Sequence, residues 1–337
     1  MSIESAQLKS LFGKKTQSQP LRIEHPKYGS FVTARCINSQ LWFVNNRLLE
    51  EYALGMLAKY CTKFDTKLYA FVMQGNHYHH VSRFPGCNRA AFQRDFGSRF
   101  VNGVRRFVPG FPGGPLFERR YSAQALVNAE DIEEQFLYAA LQPVKSGLTE
   151  YIEDYPGYNS FFDAIWGRER TVKVFRRGEY NERKRYNRKL KKRDFMDEYT
   201  LRYDRVPGYD HLSQEEYAKM MLEKVELRRQ ALVADWKAKG HKFLTRKLLE
   251  RVTAGPFRRL QRRASGTTSD RLSCRNVGRQ LESIAKSSFR STGNTKTLLN
   301  VTYAGRKMSS FPLERIDPLG LSRLTLRTTS SKQDTSF

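Results

Sequence analysis

The chain is poor in acid, poor in histidine, without paired cysteines and without a long apolar run. Each shortage narrows what it can be. Its 337 residues carry 34 Asp and Glu against 60 Lys and Arg, a formal charge of +26, with an isoelectric point near 10.0. An excess of that size repels itself and favours a polyanionic partner, nucleic acid first and an anionic membrane surface second. The four cysteines, Cys36, Cys61, Cys87 and Cys274, form no CxxC pair. That argues against a zinc ribbon or a disulfide framework and suits a reducing cytosol. No segment approaches the roughly 18 apolar residues of a membrane span. The opening "MSIESAQLKSLFGKK" lacks the charged-then-apolar order of a signal peptide. The expectation is a soluble, cytoplasmic protein with no membrane partner.

Residues 1–28 are polar and read as a flexible segment. From Gly29 the pattern becomes regular. "SFVTARCI" is β-branched and partly alternating, as in a strand. "NNRLLEEYALGMLAKY" places Leu49, Tyr52, Met56 and Tyr60 at helical spacing, with Asn45 or Asn46 as N-cap. "TKLYAFVM" and "HYHHVSRF" read as two strands joined by the turn "QGN". A helix from Asn88 carries the stripe Phe92, Phe96, Phe100, Val104 and Phe107. After the proline–glycine loop "VPGFPGGP", "LFERRYSAQALV" reads as a fourth strand. Asn128 caps a helix that runs to Gln142, and Pro143 ends it. The order strand, helix, strand, strand, helix, strand, helix predicts an α+β fold. It is of ferredoxin-like type, an antiparallel sheet with helices on one face, over residues 29–160.

Residues 161–263 read as a basic, mainly helical extension. Between 168 and 193 stand thirteen Lys or Arg against three acids. The capping box Ser213-x-x-Glu216 opens a long helix to Lys239. Residues 264–337 are rich in Ser, Thr, Arg and Gly and read as a flexible basic tail.

Three of the six histidines fall in four positions of "GNHYHHV". Alternate residues of a strand share a face. His77 and His79 therefore point one way and His80 the other. Two imidazoles so placed suit a borderline divalent metal, or one phosphate, or an exposed strand where the pattern means nothing. Tyr138 and Gln142 are four apart on the last helix and share a face. They lie at the margin of the apolar stripe Ile132, Phe136 and Ala140. A phenol with its ordinary pKa of about 10 is a nucleophile only if its proton is taken or its electrophile activated.

Residues 29 to about 150 resemble the HUH-type single-tyrosine transposases of the insertion-sequence-200-like group. The likeness is greatest to the REP-associated tyrosine transposases of bacteria. The matching pieces are "AFVMQGNHYHHV", "GGPLFERRYSAQAL" and "FLYAALQPVKSGLTEYIEDYPGYNSF". A weaker likeness to longer members lies in "GHKFLTRKLLERVTAGPF". The resemblance implies His77, His79 and Gln142 as ligands of a divalent metal, Mg2+ or Mn2+, and Tyr138 as nucleophile. The implied activity is metal-dependent nicking and strand transfer on single-stranded, hairpin-bearing DNA, through a 5′-phosphotyrosine. The family's small members work as dimers, which makes a homodimer one of the states open to this chain; its long tail leaves the oligomeric state undecided by the resemblance. Gln142 stands where many REP-associated members carry Asn, and His80 where an apolar residue is usual. Two other readings remain: a non-cleaving nucleic-acid-binding protein of the same fold, and an HUH replication initiator or relaxase.

Single-strand binders pair a basic track with aromatic platforms. The candidates for DNA contact are Arg94, Arg99, Arg105 and Arg106 on the second helix and Arg119, Arg120 and Tyr121 on the fourth strand. Arg183, Lys184 and Arg185 stand in the basic extension.

Overall fold

The computed structural model describes residues 23–255. The segments 1–22 and 256–337, with the expected tail, lie outside the described residues. In chain order the regular elements are β1 (Gly29–Arg35), α1 (Arg47–Lys63), β2 (Lys67–Gln74), β3 (His77–Arg83), α2 (Arg89–Phe107) and β4 (Ser122–Leu126). They continue with α3 (Ala129–Ala140), α4 (Gln142–Lys145), α5 (Phe161–Ile165), β5 (Arg170–Phe175), α6 (Arg177–Tyr186), β6 (Met196–Leu201), α7 (Gln214–Ala238) and α8 (Arg246–Glu250).

The first four strands form one antiparallel sheet in the order β2-β3-β1-β4. With α1 and α2 as the crossovers, this is the ferredoxin-like arrangement the sequence predicts. Asn46, not Asn45, caps α1; its Oδ1 accepts from Leu49 N at 2.9 Å. Asn45 instead donates to the carbonyls of Leu249 and Val252. The phenylalanine stripe of α2 lies on the sheet, with Phe96 and Phe100 against Tyr78. Gly103 sits where α1 and α2 touch. A Cβ there would come within 2.5 Å of the Tyr52 ring.

The two crossover helices cover one face, as expected, and α3 crosses the other, against β1, β2 and β3. The expected fourth strand is shorter than "LFERRYSAQALV". Leu116–Glu118 touch the end of β1 through Ile37 N to Leu116 O and Glu118 N to Arg35 O. The chain then bends through Arg119–Tyr121 before β4 begins at Ser122. Arg119, Arg120 and Tyr121 thus precede β4 rather than forming part of it. The helix expected to reach Gln142 ends at Ala140. Proline has no N–H to continue the ladder, and Gln142 opens the separate turn α4.

The remaining elements brace this unit. Residues 158–160 run beside the outer edge of β2, with Met73 N donating to Tyr158 O and Ser160 N to Phe71 O. Asp204 continues the edge through Leu68 N at 3.0 Å. Strand edges left open invite pairing with other chains, and this one is closed. The β5–β6 pair packs on α1. The long helix α7 begins at the predicted capping box, Ser213 and Glu216. It lies along α3, where Lys224 Nζ meets Glu133 at 2.6 Å and Arg228 meets Glu134 at 2.7 Å. Phe161, Ile165, Leu201, Tyr217 and Met221 share one core with the sheet.

Candidate active site

The register of the sheet builds the site. Gln74, His77 and Arg35 stand directly opposite one another on β2, β3 and β1. Val72, His79 and Thr33 form the next row on the same face. Phe31 follows, opposite Val81. Helix α3 lays Tyr138 over these rows. Its ring meets Phe31 edge-on at 5.5 Å and lies 6.4 Å from the His79 ring. The His77 and His79 rings are 4.7 Å apart. Lys145, on α4, places its ammonium 4.0 Å over the Tyr138 ring.

Each imidazole is held from behind. His77 Nδ1–H donates to Asn76 Oδ1 at 2.6 Å, which leaves Nε2 as the lone-pair nitrogen of a neutral ring. His79 Nδ1 shares a hydrogen bond with Thr33 Oγ1 at 2.8 Å. Burial, then neighbouring His79 and Arg35, hold His77 well below the usual imidazole range. Burial, then Arg35, His80 and Lys145, push His79 down to about 3. Both rings are therefore neutral, the form that ligates metals.

On the histidine face the buried His79 Nε2 and Gln74 Nε2 have no partner, and neither has Gln142 Nε2 at the start of α4. Buried polar groups are nearly always satisfied, so each calls for an explanation. An amide presents oxygen instead of nitrogen after a half-turn of its end torsion. The donor chemistry thus fits a divalent cation, and two imidazoles suit manganese better than magnesium. Among the described residues no three His, Cys, Asp or Glu gather as a metal site; opposite His77 stands the amide of Gln74 instead.

His80 faces α2. It is fully buried, with Ser82 Oγ at 2.9 Å from Nδ1 and Gln93 against Nε2. Nearby Arg89 is buried as well, donating to Ser30 Oγ and Ile23 O.

The candidate DNA-contact residues do not form one track. Arg94, Arg119, Arg120 and Tyr121 line a single pocket between α2 and the bend before β4. Arg105 donates to Gly114 O at 3.3 Å. Arg99 turns toward α1, where a hydrogen bond with Tyr60 raises its pKa. Arg106 lies 4.7 Å over the Phe107 ring. On α6, Arg183 pairs with Glu179 at 2.8 Å, Lys184 donates to Tyr180 Oη and Arg185 is exposed.

Arg35 and Gln74 are not evident in the sequence pattern, although both share the histidine face. Their signal is register, since each is cross-strand from His77. Thr33 and Lys145 were likewise silent until pairing and the helix break placed them.

No family model and no curated protein matches the chain. Among solved structures it is similar to a REP-associated tyrosine transposase bound to a REP hairpin. The identity is 17% and the TM-score 0.37, over 43% of this chain and 84% of that one. It is also similar to tRNA(His) guanylyltransferase from Saccharomyces cerevisiae, at 13% identity and a TM-score of 0.31, over 46% of this chain and 71% of that one. Likenesses this distant transfer neither protein's activity to the present chain. In the described residues no helix is long and apolar enough to cross a membrane.

Proposed function

We propose that this chain is a metal-dependent DNA nicking and strand-transfer enzyme that works on hairpin-bearing single strands through Tyr138. The observation that carries the reading is the meeting of Tyr138 with His79, a buried imidazole whose Nε2 has no partner in the protein. A tyrosine above a pair of neutral, back-braced histidines suits phosphodiester attack by a phenol, because a cation on the imidazoles would activate the phosphate.

A divalent ion held by His77, His79 and Gln142 would supply Lewis acidity and charge neutralisation at the scissile phosphate. The other roles belong to side chains of this chain. The sheet and α3 hold the Tyr138 phenol against the phosphate. Its oxygen bonds to phosphorus as the 3′ oxygen departs; the phenol gives up a proton and the departing oxygen gains one. The products are a 5′-phosphotyrosine and a 3′-hydroxyl. Return attack by that hydroxyl, or by another, reseals or joins strands without ATP, because the covalent link conserves the phosphodiester. Arg35, in the row of His77, places a fixed positive charge where negative charge gathers at the phosphate.

The test is covalent capture. The chain with Mn2+ and a labelled hairpin carrying a single-stranded flank is expected to give a denaturant-stable protein–DNA adduct, and Tyr138→Phe none. Binding without an adduct in either would leave a nucleic-acid-binding protein and overturn the enzyme reading.

A further inference from the structure

On the sheet face opposite the histidines lies a pocket of about 350 Å³, between α2 and the bend before β4. We propose that it receives one base of a bound single DNA strand, with the adjoining phosphates held by its arginine rim. The proposal rests on the nucleic-acid reading above and adds a second recognition site to it.

Three observations converge. The pocket is amphiphilic in the right sense. Its lining includes Ala34, Val101 and the fully buried Tyr78, while Phe117 is partly exposed and Tyr121 adds a half-exposed ring at its edge. Flat aromatic surfaces of this kind stack on any base. Its rim is cationic. Arg119 and Arg120 are exposed there, as is Arg94, whose Nε donates to Asp95. Its volume falls in the ~300–1,000 Å³ range of small-ligand pockets.

The third observation is Gly97, in the middle of α2. Glycine inside a helix costs stability relative to alanine. Usually a close neighbour explains it, as Tyr52 does for Gly103 in the same helix. At Gly97 a Cβ would meet nothing within 4 Å, and the backbone is ordinary helix. Gly97 lines the pocket. What the missing side chain preserves is the open volume, and an occupant is the physical reason to keep it open.

The pocket-facing residues Ala34 and Tyr78 alternate with Arg35, His77 and His79 along β1 and β3. A strand that filled the pocket and reached Tyr138 would pass around the β4 edge, beside Arg119 and Arg120. The bend at 119–121 is where that passage would run.

The experiment compares two 20-nucleotide ligands of equal charge, oligothymidylate and a base-free oligomer of the same sugar–phosphate backbone. Binding to the full chain is followed by fluorescence anisotropy with EDTA present, so that nicking plays no part. Wild type is expected to bind the thymidylate about tenfold more tightly than the base-free strand. Gly97→Phe, which fills the pocket, should bring the two affinities together while keeping a wild-type melting temperature. Gly97→Ala, which adds a single methyl to the opening, should narrow the preference less than Gly97→Phe does. Equal affinity of wild type for both ligands overturns the proposal. So does an undiminished preference in a folded Gly97→Phe. Adduct formation is assayed separately with Mn2+, so equal affinity of wild type for the two ligands alongside normal adduct formation sinks the pocket alone. Intact preference without adduct formation sinks the nicking reading alone.

Discussion

The Thr33 hydroxyl lies 2.8 Å from His79 Nδ1, on the neighbouring strand and directly opposite in register. The bond fixes the direction of the ring, and the tautomer in which Nδ1–H donates to that hydroxyl is the one that presents the Nε2 lone pair to a cation. Partners of this kind set tautomer and orientation, and their loss costs roughly 10–100-fold in metal affinity. Thr33→Val keeps the shape and removes the bond. It is expected to weaken Mn2+ binding by at least about tenfold, measured by calorimetry or by the manganese resonance signal, with the thermal melt nearly unchanged. Unaltered Mn2+ affinity would show that His79 is not held in this way.

Arg35 faces His77 across the same pair of strands. Its charge opposes a cation at the imidazoles but favours a phosphate there. Arg35→Gln should therefore move two measurements in opposite directions. Without DNA, Mn2+ binding should tighten by about threefold to tenfold. With DNA, adduct formation should slow by about a hundredfold. Movement of both in the same direction would refute the role.

Glu50, in the first turn of α1, is half-buried, and burial pushes its carboxyl up to about 7. Arg170 and Arg47 pull the other way, and Glu51 adds to the rise. A carboxyl raised on folding supports the fold fully below the unfolded value, near 4.5, and loses that contribution as pH climbs through 7. Glu50→Gln should thus stabilise the protein at pH 8, on the order of 2 kcal/mol after allowing for partial exposure, and have little effect at pH 4. Melting curves at the two pH values test this. An equal shift at both would assign the effect to packing.

Lys224 Nζ bridges Glu133 at 2.6 Å and the Tyr209 hydroxyl at 2.7 Å. Desolvation pushes the Glu133 carboxyl up, but the hydrogen bonds from Lys224 and Tyr209 outweigh it and hold it below the usual range. The stability from that depressed carboxyl is present above its unfolded value and fades as pH falls through the folded one. Lys224→Met should cost about 1–2 kcal/mol at pH 7 and flatten the acid limb of the stability curve below pH 4.5. A normal acid limb would mean that Glu133 is not the group responsible.

The ferredoxin-like order was legible because strands and helices differ in period, and "SFVTAR", "KLYAFVMQ" and the phenylalanine stripe each display one. His77 and His79 were legible as a pair for the same reason, period two on one strand. What was not legible depends on pairing between strands. Nothing local in "TARC" says that Thr33 will brace His79 or that Arg35 will meet His77; the register decides both. The strands β5 and β6 were hidden differently. "RTVKVF" lies within a run so basic that it reads as surface, and "MDEYTL", just after that run, exposes Met196, Glu198 and Thr200 and has one buried residue, Leu201. The arginines of α2 were legible as off-stripe but not as divided, with Arg94 toward the pocket and Arg99 toward Tyr60.

The clamp between α7 and α3 also imposes an order in time. Glu133 and Lys224 are 91 positions apart. A ribosome that has just released α3 has already made every side chain the candidate site uses. It has yet to make the helix that holds Tyr138's own helix in place. A nascent chain paused near residue 200 is thus complete in its chemistry and unfinished in its architecture.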